Sequence, residues 1–255
     1  MQIKVLGCSG GIGGDLRTTS FLVDHDILID AGTGVGDLEV VELAAIDHIF
    51  VTHSHLDHIQ SIPLLADTVL GLREKPVTIH ATSETTQILK DHIFNWKVWP
   101  DFTVIPSGNN PLLVYHEVEV GVPVELSNGR RITPLPANHV VPAVGYHLDS
   151  GRNSLVFTGD TTTCDELWDE VNKIENLRHI IIETAFSNAD LELARLSKHL
   201  CPSLLLAELN KLKNPAQIHI THLKPGETAR IMREIKRDVA KHQPSALRNK
   251  QVFNL

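Results

Sequence analysis

The chain has 255 residues, of which 42% are hydrophobic, and this is enough for one large domain with a full core. We therefore predict a single domain over residues 1–255. The formal net charge is −8, which argues against nucleic acid and anionic membranes as partners, because contact with phosphate groups needs a basic face. The three cysteines, Cys8, Cys164 and Cys201, are far apart and odd in number, so the sequence indicates neither a disulfide framework nor a cysteine-based zinc site.

The N-terminal residues do not have the pattern of a targeting segment. They read MQIKVLGCSGG, a strand followed by a glycine turn, without a charged segment and an apolar signal stretch. No apolar run in the sequence is long enough to span a bilayer. We therefore expect a cytoplasmic protein that has no membrane partner.

Alternating or continuous apolar patterns predict the strands, and helical spacing of apolar side chains predicts the helices. In chain order, the predicted strands lie at residues 3–7, 19–30, 47–52, 75–81, 130–137, 143–149, 153–160, 177–184 and 216–222. The predicted helices lie at residues 36–46, 61–74, 83–94, 165–174, 201–213 and 226–242. Ser83 is the predicted N-cap of its helix, and residues 95–126 are irregular apart from a valine-rich pair of strands. The order predicts an α/β fold with mixed sheets in the middle and helices outside.

One loop is unusually rich in side chains that bind metal ions. The segment FVTHSHLDHIQSI follows an apolar strand and contains His53, His55, Asp57 and His58. Residues two apart on such a loop can point the same way, so two of the histidines can converge on one ion. Imidazole and carboxylate groups suit zinc, and also manganese or iron. A single histidine would be better explained as a core or surface residue, but four such residues at this spacing predict a metal site.

Three further predicted strands end in the same pattern, in which a small residue is followed by a histidine or aspartate that could bind a metal ion (a ligand-type residue). These residues are His139 in LPANHV, Asp160 in LVFTGD and His222 in IHITHLKP. Each signal is weak alone, because a strand-end histidine is often a surface residue. Together with the first loop they give five histidines and two aspartates, which is enough for two adjacent ions with open positions for water. Asp30, which ends a strand in ILIDAGTG, is interpreted as a residue that orients a metal-binding histidine.

The motif THSHLDH, followed at these intervals by NH, TGD and THL, resembles the metallo-β-lactamase superfamily. The resemblance covers nearly the whole chain and implies a four-layer αββα sandwich. It also implies that His53, His55 and His139 bind one ion, that Asp57, His58 and His222 bind the other, and that Asp160 bridges the two. The ions would be divalent, with zinc expected first and manganese or iron as alternatives.

Within the superfamily, the sequence resembles the class II cyclic nucleotide phosphodiesterases. The resemblance lies in HSHLDHIQSI, in residues 6–34 and in FNWKVWPDF, while SKHLCPSLLLAEL resembles both that family and ribonuclease Z. Many hydrolases of the superfamily have two glycines after the motif, whereas this chain has Gln60-Ser61-Ile62-Pro63. The lactamase and glyoxalase branches are therefore disfavoured.

The resemblance implies hydrolysis of 3′,5′-cyclic nucleotides, cyclic AMP or cyclic GMP, to 5′-monophosphates by a hydroxide shared between two ions. Asp57 would orient the hydroxide. Glu183 in IIIETAF and His199 in LSKHLC resemble the glutamate and histidine pair of ribonuclease Z and are candidates for phosphate contact and proton donation. The alternative is that His199 caps a helix and Glu183 only supports a neighbour.

Other interpretations remain open at this point. One is a ribonuclease Z-like endonuclease, against which the acidic balance argues. Another is an ester or lactone hydrolase on the same fold, and a third is a non-catalytic binding module, which the complete ligand set disfavours. The aromatic cluster Trp96, Trp99 and Phe102 either stacks a nucleobase or packs under a loop. The apolar segment PSLLLAELNKL fits either a homodimer contact or a core-facing helix.

Overall fold

The computed structural model describes residues 1–255 and contains sixteen strands and eight α-helices. The strands are β1 (Gln2–Gly7), β2 (Ser20–Val23), β3 (Ile27–Ile29), β4 (His48–Phe50), β5 (Val77–Ala81), β6 (Pro106–Ser107), β7 (Asn110–Pro111), β8 (Leu113–Glu117), β9 (Val124–Glu125), β10 (Arg131–Pro136), β11 (Val144–Asp149), β12 (Ser154–Phe157), β13 (Leu177–Glu183), β14 (Gln217–Thr221), β15 (Ser245–Ala246) and β16 (Val252–Asn254). The helices are α1 (Val40–Ala44), α2 (Leu56–Ile59), α3 (Ser61–Val69), α4 (Ser83–His92), α5 (Asp165–Val171), α6 (Leu191–Leu196), α7 (Pro202–Leu209) and α8 (Thr228–Asp238). None of these helices has the length and apolar character needed to cross a membrane.

Two mixed seven-stranded sheets form the centre of the molecule. The first has the order β16-β1-β2-β3-β4-β5-β8 and the second has the order β15-β14-β13-β12-β11-β10-β9. In each sheet three pairings are antiparallel and three are parallel. β6 and β7 form a separate two-stranded ribbon.

Three apolar clusters show how the layers stack. One lies between the sheets, where Phe21 of the first sheet meets Phe157 of the second with ring centroids 4.9 Å apart. The hydroxyl of Tyr146, also in this cluster, donates to the Val51 carbonyl across the interface at 2.8 Å. Burial of a side chain of this size stabilises the fold by about 1.5–3 kcal/mol.

The other two clusters lie on the outer faces of the sheets. Ile49 and Ile79 of the first sheet pack with residues of α3 and α4, such as Leu65. On the second sheet, Ile180 packs with residues of α5, α7 and α8, including Ile231. Because a strand alternates its side chains between faces, the strands that are buried on both faces read as continuous apolar runs. The result is the four-layer αββα sandwich that the sequence predicts.

Two local predictions were wrong. Thr82, rather than Ser83, is the N-cap of α4, and its side chain accepts a bond from the backbone N–H of Thr85 at 3.3 Å. The reason is that β5 ends at Ala81, so the next residue has the extended backbone that a cap requires. The predicted valine-rich strand pair is also not a pair, because β8 and β9 are edge strands of different sheets. This segment is where the chain crosses from the first sheet to the second.

The strand directions bring several loops to one edge of the sandwich. β4 and β5 are parallel, and so are β12, β13 and β14. Their carboxyl ends therefore lie at a common edge, which is where polar loops of mixed sheets can meet. The segments that follow β4, β10, β12 and β14 carry the seven metal-ligand residues predicted from the sequence.

Candidate metal centre

The seven predicted ligands converge into two sets that share the Asp160 carboxylate, and Asp160 also forms a third group with Glu183 and His199. The first set is His53, His55, His139 and Asp160, and the second is Asp57, His58, His222 and Asp160. Within each set, one ligand atom of every residue lies within 4.8 Å of the others. All seven residues proposed from the sequence are thus in one place, and Asp160 lies between the two sets.

The first set is a compact group of three imidazoles. The Nε2 atom of His139 lies 3.2 Å from Nδ1 of His55, and the ring of His53 lies 4.7 and 5.0 Å from those of His55 and His139. Burial holds the pKa of His139 at about 4, and burial together with nearby His58 lowers the pKa of His53. These histidines are therefore neutral at pH 7, which is the form that binds a metal ion.

The second set has more negative charge, and although burial alone would lower the pKa of His58, Asp160 and Asp30 raise it well above its usual value. His58 Nε2 lies 3.4 Å from Asp160 Oδ2 and 3.8 Å from Asp57 Oδ2, and His222 Nδ1 lies 3.3 Å from Asp160 Oδ1. Burial alone would raise the pKa of Asp160, but His222 and His58 hold it well below its usual range. The centre is therefore a fully buried carboxylate surrounded by imidazoles.

Buried nitrogens without partners show that the site suits cations. His53 Nε2, His58 Nε2 and His222 Nδ1 are buried and have no hydrogen-bond partner. Such groups are rare in folded proteins, because an unpaired buried polar atom is costly. A divalent ion would accept the lone pairs of these nitrogens, and imidazole with carboxylate is a donor set that zinc, manganese and iron accept. The residues present therefore fit divalent metal ions.

Asp30 makes the contact that the sequence predicts. Its Oδ2 lies 2.6 Å from Nδ1 of His58, and its carboxylate also accepts bonds from the backbone N–H and hydroxyl of Thr52. The N–H on Nδ1 is thereby engaged, and Nε2 is left to face the other ligands. Asp30 and His222 both have positive φ angles, +56° and +60°, which are uncommon for residues other than glycine and are found at functional sites.

Lys198 supports His139 and was missed by the sequence reasoning. Its carbonyl accepts a bond from Nδ1 of His139 at 3.0 Å. Its ammonium donates to the His139 carbonyl and to Oδ1 of Asn138, both at 3.0 Å. Lys198 has a φ of +51°, which lets its main chain and side chain reach the same loop. Only its position directly before His199 could have drawn attention to it.

Glu183 and His199 lie beside the two ligand sets as a tightly bonded pair. His199 Nδ1 lies 2.7 Å from Oε1 of Glu183, and the His199 ring lies 4.9 Å from that of His139 and 5.2 Å from that of His222. Glu183 is fully buried and also accepts from the backbone N–H groups of Thr161, Ala185 and Leu200. Burial alone would lower the pKa of His199, but the Glu183 carboxylate outweighs it and raises that pKa. Glu183 therefore has no surface for a substrate, whereas His199 remains 7% exposed.

Two glycines let the ligand loops approach each other. Gly159, which precedes Asp160, has a φ of +63°, and a Cβ there would lie 2.8 Å from the Val144 carbonyl oxygen. A Cβ at Gly10 would lie 2.5 Å from the carbonyl oxygen of His222. Any larger residue at these positions would push the ligand loops apart.

Other candidates lie outside the centre. Phe102 is buried in the cluster between the first sheet and its helices, Trp99 packs against that cluster, and Trp96 is largely exposed. The aromatic residues therefore do not form one stacking surface.

Comparison with known proteins agrees with this geometry. The β-lactamase superfamily domain matches residues 25–241. The chain belongs to the metallo-β-lactamase superfamily. A probable 3′,5′-cyclic-nucleotide phosphodiesterase of Yersinia pestis is 28% identical over 278 residues, which cover 88% of this chain and 78% of that protein. A ribonuclease Z of Haloarcula marismortui is 32% identical over 157 residues, which cover 58% of this chain and 47% of that protein.

A solved structure supports the fold of this superfamily member independently. Unliganded yeast PDE1 superposes with a TM-score of 0.83 and 17% sequence identity, and the match covers 100% of this chain and 99% of the yeast chain. At this identity the likeness shows the fold alone. The predicted superfamily and the predicted αββα fold are confirmed, and the family and the ligand sets together indicate a metal-dependent hydrolase.

Proposed function

We propose that the protein is a di-metal phosphodiesterase that opens 3′,5′-cyclic nucleotides, cyclic AMP or cyclic GMP, to 5′-monophosphates. The observation that carries this proposal is the position of Asp160. Its two carboxylate oxygens lie 3.3 and 3.4 Å from nitrogens of His222 and His58, and Oδ2 lies 3.8 Å from Nε2 of His53. One carboxylate thus belongs to both ligand sets, which is the arrangement that a pair of adjacent ions needs.

The choice of cyclic nucleotides is supported by the Yersinia pestis relative, whose name gives this activity and whose alignment covers most of both chains. In this proposal His53, His55 and His139 hold one ion, Asp57, His58 and His222 hold the other, and Asp160 belongs to both. Zinc is our first choice of metal. When bound, the two ions would supply an activated water and positive charge for the phosphoryl oxygens.

The remaining roles follow from exposure and bonding. Asp57 has the most exposed carboxylate of the two sets, with 30% of its side chain accessible, so we assign it to orient the attacking water. His199 keeps 7% exposure, and its Nδ1 is engaged by Glu183, so its Nε2 can hold a proton for the leaving oxygen. Glu183 is enclosed by four N–H donors, and we therefore assign it a positioning role through His199 rather than direct contact with phosphate.

Removal of the shared carboxylate tests the di-metal proposal. Asp160→Ala should lower hydrolysis of cyclic AMP by at least about 1000-fold, because neither ligand set would then be complete. The metal content per chain, measured by mass spectrometry, should fall in parallel, while the far-ultraviolet circular dichroism stays unchanged. Hydrolysis at the wild-type rate in this variant would contradict the proposal.

Substitution of His199 separates catalysis from metal binding. His199→Ala should lower kcat by about 100-fold or more, because the proton donor is lost, and it should leave the metal content unchanged. The matched substitution His116→Ala changes an exposed histidine of β8 and should leave both quantities at wild-type values. Equal loss of metal and activity in His199→Ala would instead make His199 a structural residue.

A ribonuclease Z-like endonuclease is the second candidate, and the Haloarcula marismortui relative favours it. One activity panel on the metal-loaded protein distinguishes the candidates: cyclic AMP, cyclic GMP, bis(p-nitrophenyl) phosphate, a pre-tRNA and a lactone. We expect the cyclic nucleotides to be the best substrates. Cleavage of pre-tRNA alone would favour the endonuclease, and activity on the lactone alone would overturn both.

The cytoplasmic setting and the homodimer remain predictions. Leu205 and Leu209 of α7 pack in the core of the second sheet, which supports a core-facing helix rather than a dimer contact for the segment PSLLLAELNKL.

A further inference from the structure

The basic residues of this acidic chain are unevenly distributed. Residues 228–250 contain seven of the 23 basic side chains and only two of the 31 acidic ones, a local surplus of five positive charges in a chain of net charge −8. The seven basic residues are Arg230, Arg233, Lys236, Arg237, Lys241, Arg248 and Lys250. The segment includes α8, β15 and the connection that leads to β16. The chain therefore has a basic region near its C-terminal end although its net charge is negative.

A groove of about 780 Å³ lies within this region, between α8 and the connection from β15 to β16. Lys236 comes from the helix, and Arg248 and Lys250 come from the connection. No carboxylate lines the groove, and Met232 and Ala246 add apolar surface. Its volume lies in the range of about 300–1,000 Å³ that small-molecule sites occupy.

The three cations of the groove have no ion-pair partner within the chain, unlike Arg230 and Arg237 of the same segment. Arg230 lies 3.5 Å from Glu227, and Arg237 lies 2.6 Å from Asp238. Lys236, Arg248 and Lys250 form no ion pair within 4.0 Å, and their side chains are exposed. Cations that face one concave surface without counter-charges repel each other, and this repulsion is relieved when an anion binds among them.

The connection that carries two of these cations is fixed to both sheets. The backbone N–H of Leu247 donates to Ile220 of the second sheet at 2.8 Å. The N–H of Lys250 donates to Val5 of the first sheet at 2.7 Å, and Val5 donates back to Gln251 at 2.9 Å. Lys250 is held with a φ of +66°. The groove is therefore formed before any ligand arrives, which lowers the entropy cost of binding.

We propose that this groove is a second ligand site, separate from the metal centre, that binds the di- or triphosphate group of a nucleotide. Three unpaired cations match the charge of such a group better than that of a monophosphate, and arginine can bind phosphate oxygens in pairs. The apolar surface of Met232 and Ala246 lies beside the cations and is suited to the base, and the amide of Gln251 adds a polar group. None of the seven ligand-type residues of the metal centre lines the groove.

Calorimetric titration of the metal-loaded protein with ATP tests the proposal. The double variant Lys236→Ala/Arg248→Ala should weaken ATP binding by about 100-fold, because each charged contact contributes about ten-fold. Lys241→Ala is the matched control, since Lys241 is exposed in the same basic segment and does not line the groove. It should bind ATP as the wild type does. Hydrolysis of cyclic AMP should be unchanged in both variants, so the result does not depend on the proposed function.

The proposal is wrong if ATP does not bind at millimolar concentration, or if the double variant binds it as tightly as the wild type does. It is also wrong if Lys241→Ala weakens binding equally, since that would be a general effect of charge. A single-stranded RNA that binds through Lys236 and Arg248 when ATP does not would identify a nucleic-acid surface instead. The single variant Lys236→Met, which keeps the length of the side chain, should still weaken ATP binding by about ten-fold if the double variant unfolds.

Discussion

At the scale of single residues, the metal centre depends on side chains that bind no metal themselves. Lys198 holds the His139 loop by both its carbonyl and its ammonium. Lys198→Ala should weaken metal binding by the first ligand set about ten-fold, because loss of a contact that orients a ligand has effects of this size. The measurement is the metal content per chain at buffered free zinc, together with the visible spectrum of the cobalt-substituted protein.

A second substitution separates the ammonium of Lys198 from its backbone. Lys198→Gly also lacks the ammonium but adopts the φ of +51° without strain. If the ammonium holds the loop, both variants lose metal to a similar degree. Loss in the alanine variant alone would mean that backbone strain, and not the contact with His139, explains the effect. Lys97→Ala is the control, since it changes an exposed lysine that is distant from Lys198 in the sequence. It should retain the full metal content.

The same residue shows which parts of the site the sequence could predict. The seven ligand-type residues follow apolar strands directly, so a local pattern and the fold place them together without further information. The contact of Lys198 with His139 joins positions 59 residues apart and needs a left-handed backbone. No local pattern encodes such a contact. The burial of Glu183 by four donors is likewise a property of the folded loops, and the sequence left both phosphate contact and a supporting role open for this residue.

At the scale of secondary structure elements, the start of α4 offers a direct measurement. The Thr82 side chain accepts the N–H of Thr85, whereas the Ser83 side chain contacts only exposed Glu84. Thr82→Ala should lower the free energy of unfolding by about 1 kcal/mol, as loss of a helix cap does, and Ser83→Ala should change it by less than about 0.5 kcal/mol. Urea denaturation of the two variants measures both values. The opposite order would restore the cap predicted from the sequence.

The elements themselves were predictable where one apolar pattern extends over the whole element. β13 contains three consecutive isoleucines and β14 alternates isoleucine with polar residues, and both were predicted close to their true positions. The segment that contains β8 and β9 was predicted as a pair of strands, because two adjacent valine-rich stretches give the same local signal whether they pair or separate. Only the packing of the two sheets decides between these outcomes.

At the scale of the whole molecule, the metal centre joins the two sheets. His53 follows β4 of the first sheet, whereas Asp160 follows β12 of the second, and their side chains lie 3.8 Å apart. An ion held between them would link the two halves of the sandwich and stabilise it, and its removal would leave the buried nitrogens His53 Nε2, His58 Nε2 and His222 Nδ1 unpaired. Binding at about 1,000 times the dissociation constant contributes about 4 kcal/mol. For a chain of this size we expect chelation to lower Tm by about 10 °C.

Differential scanning calorimetry of the metal-loaded protein, before and after dialysis against EDTA, measures this shift. Asp160→Ala is the informative comparison, since it should begin with a lower metal content and show a much smaller shift on chelation. Lys97→Ala should show the same shift as the wild type, because its exposed side chain lies outside both ligand sets. An unchanged Tm for chelated wild-type protein that held metal beforehand would show that the ions serve the reaction without stabilising the contact between the sheets.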